Sequence, residues 1–150
     1  MKLKILISFV FLFTFNCLSI IAQNEQISES SETGTLTIEI VGFESDEGQV
    51  IVSLFNSKET WPKETVQKVI QKILNKKSII VFNDLPFGEY GAAVIHDDNN
   101  NSKMDTNFLG IPSEDYGFSN DAEPSFGPAS WNDAKFLINK RETKILINIQ

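Results

Sequence analysis

The sequence is poor in the residues that build most disulfide and transition-metal sites. Its 150 residues include one Cys and one His, which excludes an internal disulfide framework, a thiolate zinc cluster and a multi-histidine metal site. Basic residues are also scarce, because 13 Lys and Arg stand against 20 Asp and Glu for a formal net charge of −7. Nucleic acid and anionic lipid both attract basic surfaces, so we expect neither as a partner. With 41% hydrophobic residues, the chain can still bury the core of one domain.

A long apolar run occurs only near the N-terminus. Lys2 and Lys4 precede the mostly apolar stretch 5–21, and a polar segment follows Ala22. This order predicts a secretory signal peptide over residues 1–22 and export to a periplasm, a cell surface or the extracellular space. The alternative is a membrane anchor, but polar residues interrupt the run and no basic cluster follows it. We therefore expect no transmembrane segment after cleavage.

Residues 35–150 are predicted to form a single all-β domain, preceded by a disordered tail at 23–34 that holds one apolar residue. Apolar and polar residues alternate with a period of two in several short segments, as in strands with one buried face. About seven such strands favour an antiparallel β-sandwich, in which we expect the first two strands and the last two strands to form hairpins. The predicted strands are 35–43, 49–55, 78–82, 89–96, 134–139 and 142–150, with a seventh within 65–74.

The seventh strand is the least determined, because the apolar residues of 62–77 also match the spacing of a helix. We predict a short helical turn near 62–68 followed by a strand, and leave open whether 65–74 is helix or strand. Elsewhere the alternation identifies the buried face, and small residues from Gly91 onward predict that another backbone or a large side chain packs over that strand. The predicted core residues are Leu36, Ile38, Ile40, Val50, Val52, Leu54, Val94, Ile145 and Ile147.

The connection at 96–133 is 38 residues long and shows no regular pattern. Loops of this length inside a compact domain are usually functional. This one holds eight acidic residues and one basic residue, a net charge of −7 in the loop alone. Because concentrated like charge is unfavourable unless something cationic neutralises it, the loop predicts a bound cation. The acidic residues are Asp97, Asp98, Asp105, Glu114, Asp115, Asp121, Glu123 and Asp133.

The start of this loop has the spacing of a calcium-binding turn. Oxygen-bearing side chains stand at relative positions 1, 3, 5 and 9, and the Lys103 carbonyl at position 7 completes the predicted ligands, which are Asp97, Asn99, Asn101, Lys103 and Asp105. Two positions depart from the usual pattern, since Ser102 replaces the Gly of position 6 and Phe108 replaces the Glu of position 12. Further ligands would be water, Asp115 or Asp121. The alternative is a solvated turn rich in Asn and Asp.

Aromatic residues crowd the second half of the loop and suggest a ligand-binding surface. Exposed rings can stack on a sugar or contact a protein, so we predict an unknown protein or carbohydrate partner at Tyr116, Phe118 and Trp131. The alternative is that these rings form a small core beneath the loop.

Four segments of the chain together resemble one protein family. They are LPFGEY (85–90), HDDNNNSKMDTNFLGIP (96–112), DYGFSNDA (115–122) and FGPASW (126–131). On these segments, residues 35–150 resemble the bacterial secreted family catalogued as domain of unknown function 2141. The resemblance implies a transthyretin-like or carboxypeptidase-regulatory-like β-sandwich, and a Gly where Ser102 stands. The family has no established activity, so the resemblance bears on fold and location and not on a reaction.

We therefore expect a secreted, non-catalytic module of unknown specific role, stabilised by calcium, that binds a ligand or partner through the 96–133 loop. One alternative is a hydrolase that uses His96 and Asp97, the only candidate acid–base cluster. Adjacent strand residues point to opposite faces, however, and no Ser is marked as an activated nucleophile. A second alternative is a structural or assembly domain on the cell surface, which would pair through edge strands.

Overall fold

The computed structural model describes residues 32–150, so the predicted signal peptide and most of the predicted tail lie outside the described residues. Within 32–150 there are eight strands, a 3₁₀ turn at Ser119–Asp121 and a short helix α1 at Trp131–Ala134. The strands are β1 (Thr33–Val41), β2 (Gln49–Phe55), β3 (Gln67–Gln71), β4 (Ser78–Pro86), β5 (Gly88–Asp97), β6 (Tyr116–Phe118), β7 (Phe136–Ile138) and β8 (Glu142–Asn148).

The strands form two sheets with a hydrophobic core between them, which confirms the predicted all-β sandwich. The smaller sheet has the order β4-β1-β8, and the larger has the order β3-β2-β5-β6 with β7 paired to the start of β5. All pairs are antiparallel except β1 with β8, which run parallel with Ile38 opposite Ile145. The sandwich is therefore not antiparallel throughout, because the chain crosses from one sheet to the other before β8 joins β1.

The two predicted hairpins are wrong. β1 and β2 lie in different sheets, and so do β7 and β8. The alternation of apolar residues reports which face of a strand is buried, and it carries no information about which strand is the neighbour. Here the apolar faces of β1 and β2 meet across the core instead of lying side by side. The chain changes sheet just after β1, where Gly42 adopts a φ of 102° that favours glycine.

The predicted core residues are confirmed. Of the nine, eight are at most 1% exposed, and Ile145 is partly buried against the same cluster. A second, smaller cluster lies on the outer face of the larger sheet, where part of the long loop packs over β5 and β6. Its members are Phe118, Ala129 and Ala134, with Trp61, Ala93, Tyr116 and Ala122 against them. The sheet is thus covered on both faces, which explains the near-continuous burial of β2 and of the middle of β5.

The ambiguous segment 62–77 contains a strand, β3. A tight turn precedes it, in which the N–H groups of Lys63 and Glu64 both donate to the Thr60 carbonyl. No helix is present over 62–68. The helical spacing was misleading because β3 is an edge strand, so its apolar residue Ile70 is 45% exposed. Val66, just before the strand, is exposed to the same extent.

Candidate functional site

The long loop begins at Asp97 and is held in place by β6. Tyr116 and Phe118 pair with Ile95 and Ala93 of β5, so the chain returns antiparallel to the strand it has just left. The segment predicted to lack regular structure therefore contains a strand, a 3₁₀ turn and α1. A small bridged turn within it pairs Thr106 with Pro112 and folds residues 105–113 back on themselves. These contacts give the acidic residues fixed positions.

Asp97, the last residue of β5, is the centre of the turn at 97–105. The residue is fully buried, and its carboxylate accepts hydrogen bonds from the Asn101 N–H (3.0 Å), the Ser102 N–H (2.7 Å) and the side-chain amide of Gln49 (2.7 Å). Burial alone raises the pKa of Asp97, but these hydrogen bonds outweigh burial and hold the pKa below its usual range. The turn is therefore organised around a charged carboxylate.

The other predicted metal ligands join the same turn. The Asn99 amide oxygen accepts from the Asn101 N–H (3.0 Å), and the Asn101 amide oxygen accepts from the Lys103 N–H (2.8 Å). Asp105 closes the turn, because its Oδ2 accepts from the side-chain amides of Asn99 (2.5 Å) and Asn101 (2.9 Å). The structure thus brings together the five residues that the spacing singled out.

Glu114 is the residue of this site that the sequence spacing missed. It is buried, and its two carboxylate oxygens accept from the N–H groups of Asp98 (3.2 Å) and Asp105 (2.8 Å). The candidates named from sequence lie elsewhere: the backbone of Asp115 pairs with His96, and the Asp121 carboxylate accepts from Asn148. Glu114 reaches the turn at 97–105 because the chain folds back on itself at 105–113. The sequence indicated this reversal only by a run of turn-forming residues there.

The sharp bend of the turn depends on two left-handed residues. Asn100 has a φ of 60° and Ser102 a φ of 63°. Asn adopts this left-handed region more readily than most residues with a side chain, whereas Ser is disfavoured there. The preference for Gly at position 6 of calcium turns therefore has a direct physical reason here.

The chemistry of this turn suits a hard cation. Two carboxylates, two amide oxygens and the Lys103 carbonyl are all oxygen donors, the kind that Ca²⁺ takes. Within residues 32–150, no three His, Cys, Asp or Glu side chains gather in a metal-ligand arrangement, so a cation here would depend on amide and backbone oxygens. The calcium site stays a prediction.

His96 and Asp97, the proposed acid–base cluster, do not contact each other through their side chains. His96 is 3% exposed on the core side of β5, with its Nε2 at 2.9 Å from the Glu47 carbonyl oxygen and 3.0 Å from Asp98 Oδ1. Both neighbours are acceptors, so the hydrogen-bond network assigns the proton to Nε2. Ser119 is fully buried, and its hydroxyl is bonded to the backbone of Ala92. Ala92 lies four residues from His96 along β5, roughly 13 Å away.

A groove of about 580 Å³ opens beside the turn, and aromatic residues line it. Tyr116 and Phe118 line it, but Phe118 is only 7% exposed and, with Tyr116 against it, belongs to the small cluster beneath the loop. The ring of Phe126 beside them is fully exposed. Trp131 lies elsewhere: it is only 6% exposed and packs against Trp61, with ring centroids 5.7 Å apart. The groove is lined by Met104, Gly110, Ile111, Pro112, Tyr116, Phe118, Pro124, Phe126, Gly127 and Pro128.

Fold and site together define a two-sheet β-sandwich that presents an ordered acidic loop with an adjoining apolar groove. No helix between residues 32 and 150 is long and apolar enough to cross a membrane. The model of the family described as "Uncharacterized protein conserved in bacteria (DUF2141)" matches residues 38–146, and the chain belongs to this family. The resemblance seen in the sequence is thereby confirmed. No curated protein and no solved structure matches the chain, so the transthyretin-like detail of the fold remains a prediction.

Proposed function

We propose that this chain is an exported, non-catalytic module that binds calcium in the turn at 97–105 and a ligand or partner in the groove beside it. The observation that carries the proposal is the hydrogen-bonded turn in which the side chains of Asp97, Asn99 and Asp105 all accept from Asn101. These four side chains follow the alternate spacing of a calcium turn and occupy one bend of the chain.

The donor set supports calcium over a softer metal. Every candidate donor is an oxygen, and the chain has a single His and a single Cys for a metal that prefers nitrogen or sulfur. Glu114 stabilises the turn, because its carboxylate accepts hydrogen bonds from the N–H groups of Asp98 and Asp105. A cation would also offset the repulsion among acids in a loop with a net charge of −7.

Export would place this site where calcium is abundant. The predicted signal peptide would deliver the protein to surroundings with millimolar calcium, where even a site with a Kd of about 10⁻⁴ M is occupied. The surroundings of His96 and of Ser119, a serine that a hydrolase could use as its nucleophile, support the non-catalytic part of the proposal. His96 donates its Nε2 proton to acceptors, and Ser119 is enclosed by backbone groups.

Calorimetry and thermal melting of the purified protein, in calcium and in chelator, test the calcium site. A ligand that binds only the folded state stabilises it by RT ln(1 + [L]/Kd), so calcium at about 100 Kd should add roughly 2.7 kcal/mol. Asp105→Asn should abolish both the heat of binding and the calcium-dependent part of the melting temperature. Its remaining amide oxygen can still accept from Asn99 and Asn101, so the variant should fold in chelator.

Asp84→Asn is the matched control. It removes the same charge by the same change, at the exposed end of β4, close to the start of β5 and far from its end at Asp97. Calcium should stabilise Asp84→Asn as much as it stabilises the wild type. Identical melting of the wild type in calcium and in chelator, with no heat of binding, would show that the turn is solvated and holds no cation.

Export has its own test. Intact-mass analysis of the protein recovered outside the cytoplasm of a bacterial host should give a chain that begins at Gln23. A full-length chain retained in the cytoplasm would contradict export and leave the calcium site to be judged separately.

A further inference from the structure

The groove beside the acidic turn offers few polar side-chain groups to a ligand. Its wall is made of Met104, Ile111, Pro112, Tyr116, Phe118 and Phe126 together with glycines and two further prolines. The Tyr116 hydroxyl is the only polar side-chain group among these lining residues. A sugar seated here would find few side-chain partners for its hydroxyl groups, whereas an apolar side chain would need none. The lining therefore favours an apolar occupant over a carbohydrate.

The rim of the groove is acidic. A shallow recess shares Tyr116 and Phe118 with the groove, and Asp121 and Glu123 line it. Neither the groove nor the recess is lined by a Lys or Arg, and the three salt bridges found within 32–150 involve none of these acids. The negative charge of the rim is thus available to an incoming cationic group over about a Debye length, roughly 8–10 Å.

Phe126 is the most exposed part of this surface. Its side chain is fully exposed, and its backbone has a φ of 55°, a region that a bulky side chain rarely adopts. Gly127 follows with a φ of 138°. Strained backbone and an exposed ring together at the mouth of a groove are typical of a binding surface, where the conformation serves contact with a partner.

We infer that the groove binds a segment of another protein that inserts one large apolar or aromatic side chain and carries Lys or Arg on either side of it. This inference rests on the proposed function, because it names the partner class of the same loop. The apolar wall fits the inserted side chain, and the acidic rim fits the flanking cations. Aromatic anchors in apolar pockets supply most of the affinity in such contacts, and complementary charge adds specificity and association rate.

Charge also argues against the chain's own segments as occupants. A second copy would bring the same acidic loop against this one, and the whole chain has a net charge of −7. The segment 23–31 has two Glu residues and no base, and it holds a single apolar residue.

Fluorescence polarisation of labelled peptides on the full exported protein tests the inference. The probe is a short peptide with a central Trp and two Arg on each side, compared with a peptide in which Ser replaces Trp and one in which Glu replaces every Arg. The basic aromatic peptide should bind, and each altered peptide should bind at least about tenfold more weakly, equivalent to about 1.4 kcal/mol. Its affinity should also fall as salt is raised.

Two variants and two controls locate the site. Phe126→Ser and Glu123→Lys should each weaken the basic aromatic peptide by about tenfold or more. Phe108→Ser removes a ring that is 94% exposed but does not line the groove, and Glu142→Lys reverses an exposed charge on β8. Both controls should leave the affinity within about twofold. Because all four side chains are exposed, melting should show that each variant is folded.

Several outcomes would overturn the inference. They are equal binding of the three peptides, binding of a maltooligosaccharide but no peptide, and sedimentation as a dimer that Phe126→Ser dissociates. Calcium calorimetry on the same preparation separates this inference from the proposed function. Heat of calcium binding without peptide binding would overturn only the partner class, and peptide binding without calcium heat would overturn only the calcium site.

Discussion

Ser102→Gly should stabilise the protein by relieving the strain of the acidic turn. The φ of 63° at Ser102 is left-handed, and a residue with a side chain loses about 1–2 kcal/mol there. Glycine has no such penalty but loses more backbone entropy on folding, about 0.5–1 kcal/mol. The Ser102 hydroxyl has one long contact, 3.4 Å from the Gln49 amide, and its removal should matter little. The net gain should be about 0.5–1 kcal/mol.

Thermal unfolding followed by circular dichroism measures this gain. For a domain of this size, it corresponds to a rise in Tm of about 2–4 °C. The rise should occur in chelator as well as in calcium, because it comes from the backbone conformation of residue 102. Urea unfolding should show a higher midpoint with an unchanged slope.

Asn100→Gly is the matched comparison, because Asn100 has nearly the same φ of 60° in the same turn. Asn tolerates this region better than Ser, so its replacement should gain clearly less. If Ser102→Gly melts at or below the wild-type temperature, or if Asn100→Gly gains more, the argument from backbone strain is refuted.

Three further predictions follow from the core and the turns. Ile38→Ala should reduce the free energy of unfolding by about 2–5 kcal/mol in urea titrations, because Ile38 is fully buried, and a loss near zero would mean that its face is misassigned. Burial raises the pKa of Tyr90, so its contribution to stability is complete below about pH 10 and declines as pH rises further. Tyr90→Phe should therefore lose less stability than the wild type as pH rises above about 10. Gly91→Ala should lower Tm, because its Cβ would lie 2.9 Å from Trp131 and 3.0 Å from Trp61; an unchanged Tm would show that the two rings can move apart at no cost.

The family assignment shows how much local sequence pattern can reveal. Segments such as LPFGEY combine a turn with the strand after it, and the structure shows why the turn is stable. The Tyr90 hydroxyl donates to the Pro86 carbonyl at 2.8 Å, across the bend between β4 and β5. Both residues lie within one short segment, so the contact depends on local spacing, and a motif can record it.

The face of each strand and the position of the acidic turn were also determined by sequence. A period of two fixes which residues of β1, β2 and β5 are buried, because successive side chains point to opposite sides of a sheet. The spacing of Asp97, Asn99, Asn101 and Asp105 fixes a turn, because its hydrogen bonds join residues at most six apart.

Pairing was decided by the tertiary structure alone. The parallel contact of β1 with β8 joins residues more than 100 positions apart, and the sequence of neither strand indicates which strand it will pair with. Glu114 and the groove belong to the same category, because a carboxylate nine residues from Asp105 reaches the turn only after the chain folds back between them. The burial of Trp131 was likewise not predictable from local sequence, because its ring packs against Gly91 of the distant strand β5. Local patterns depend on the geometry of neighbouring residues, whereas these contacts depend on which distant surfaces bury each other best.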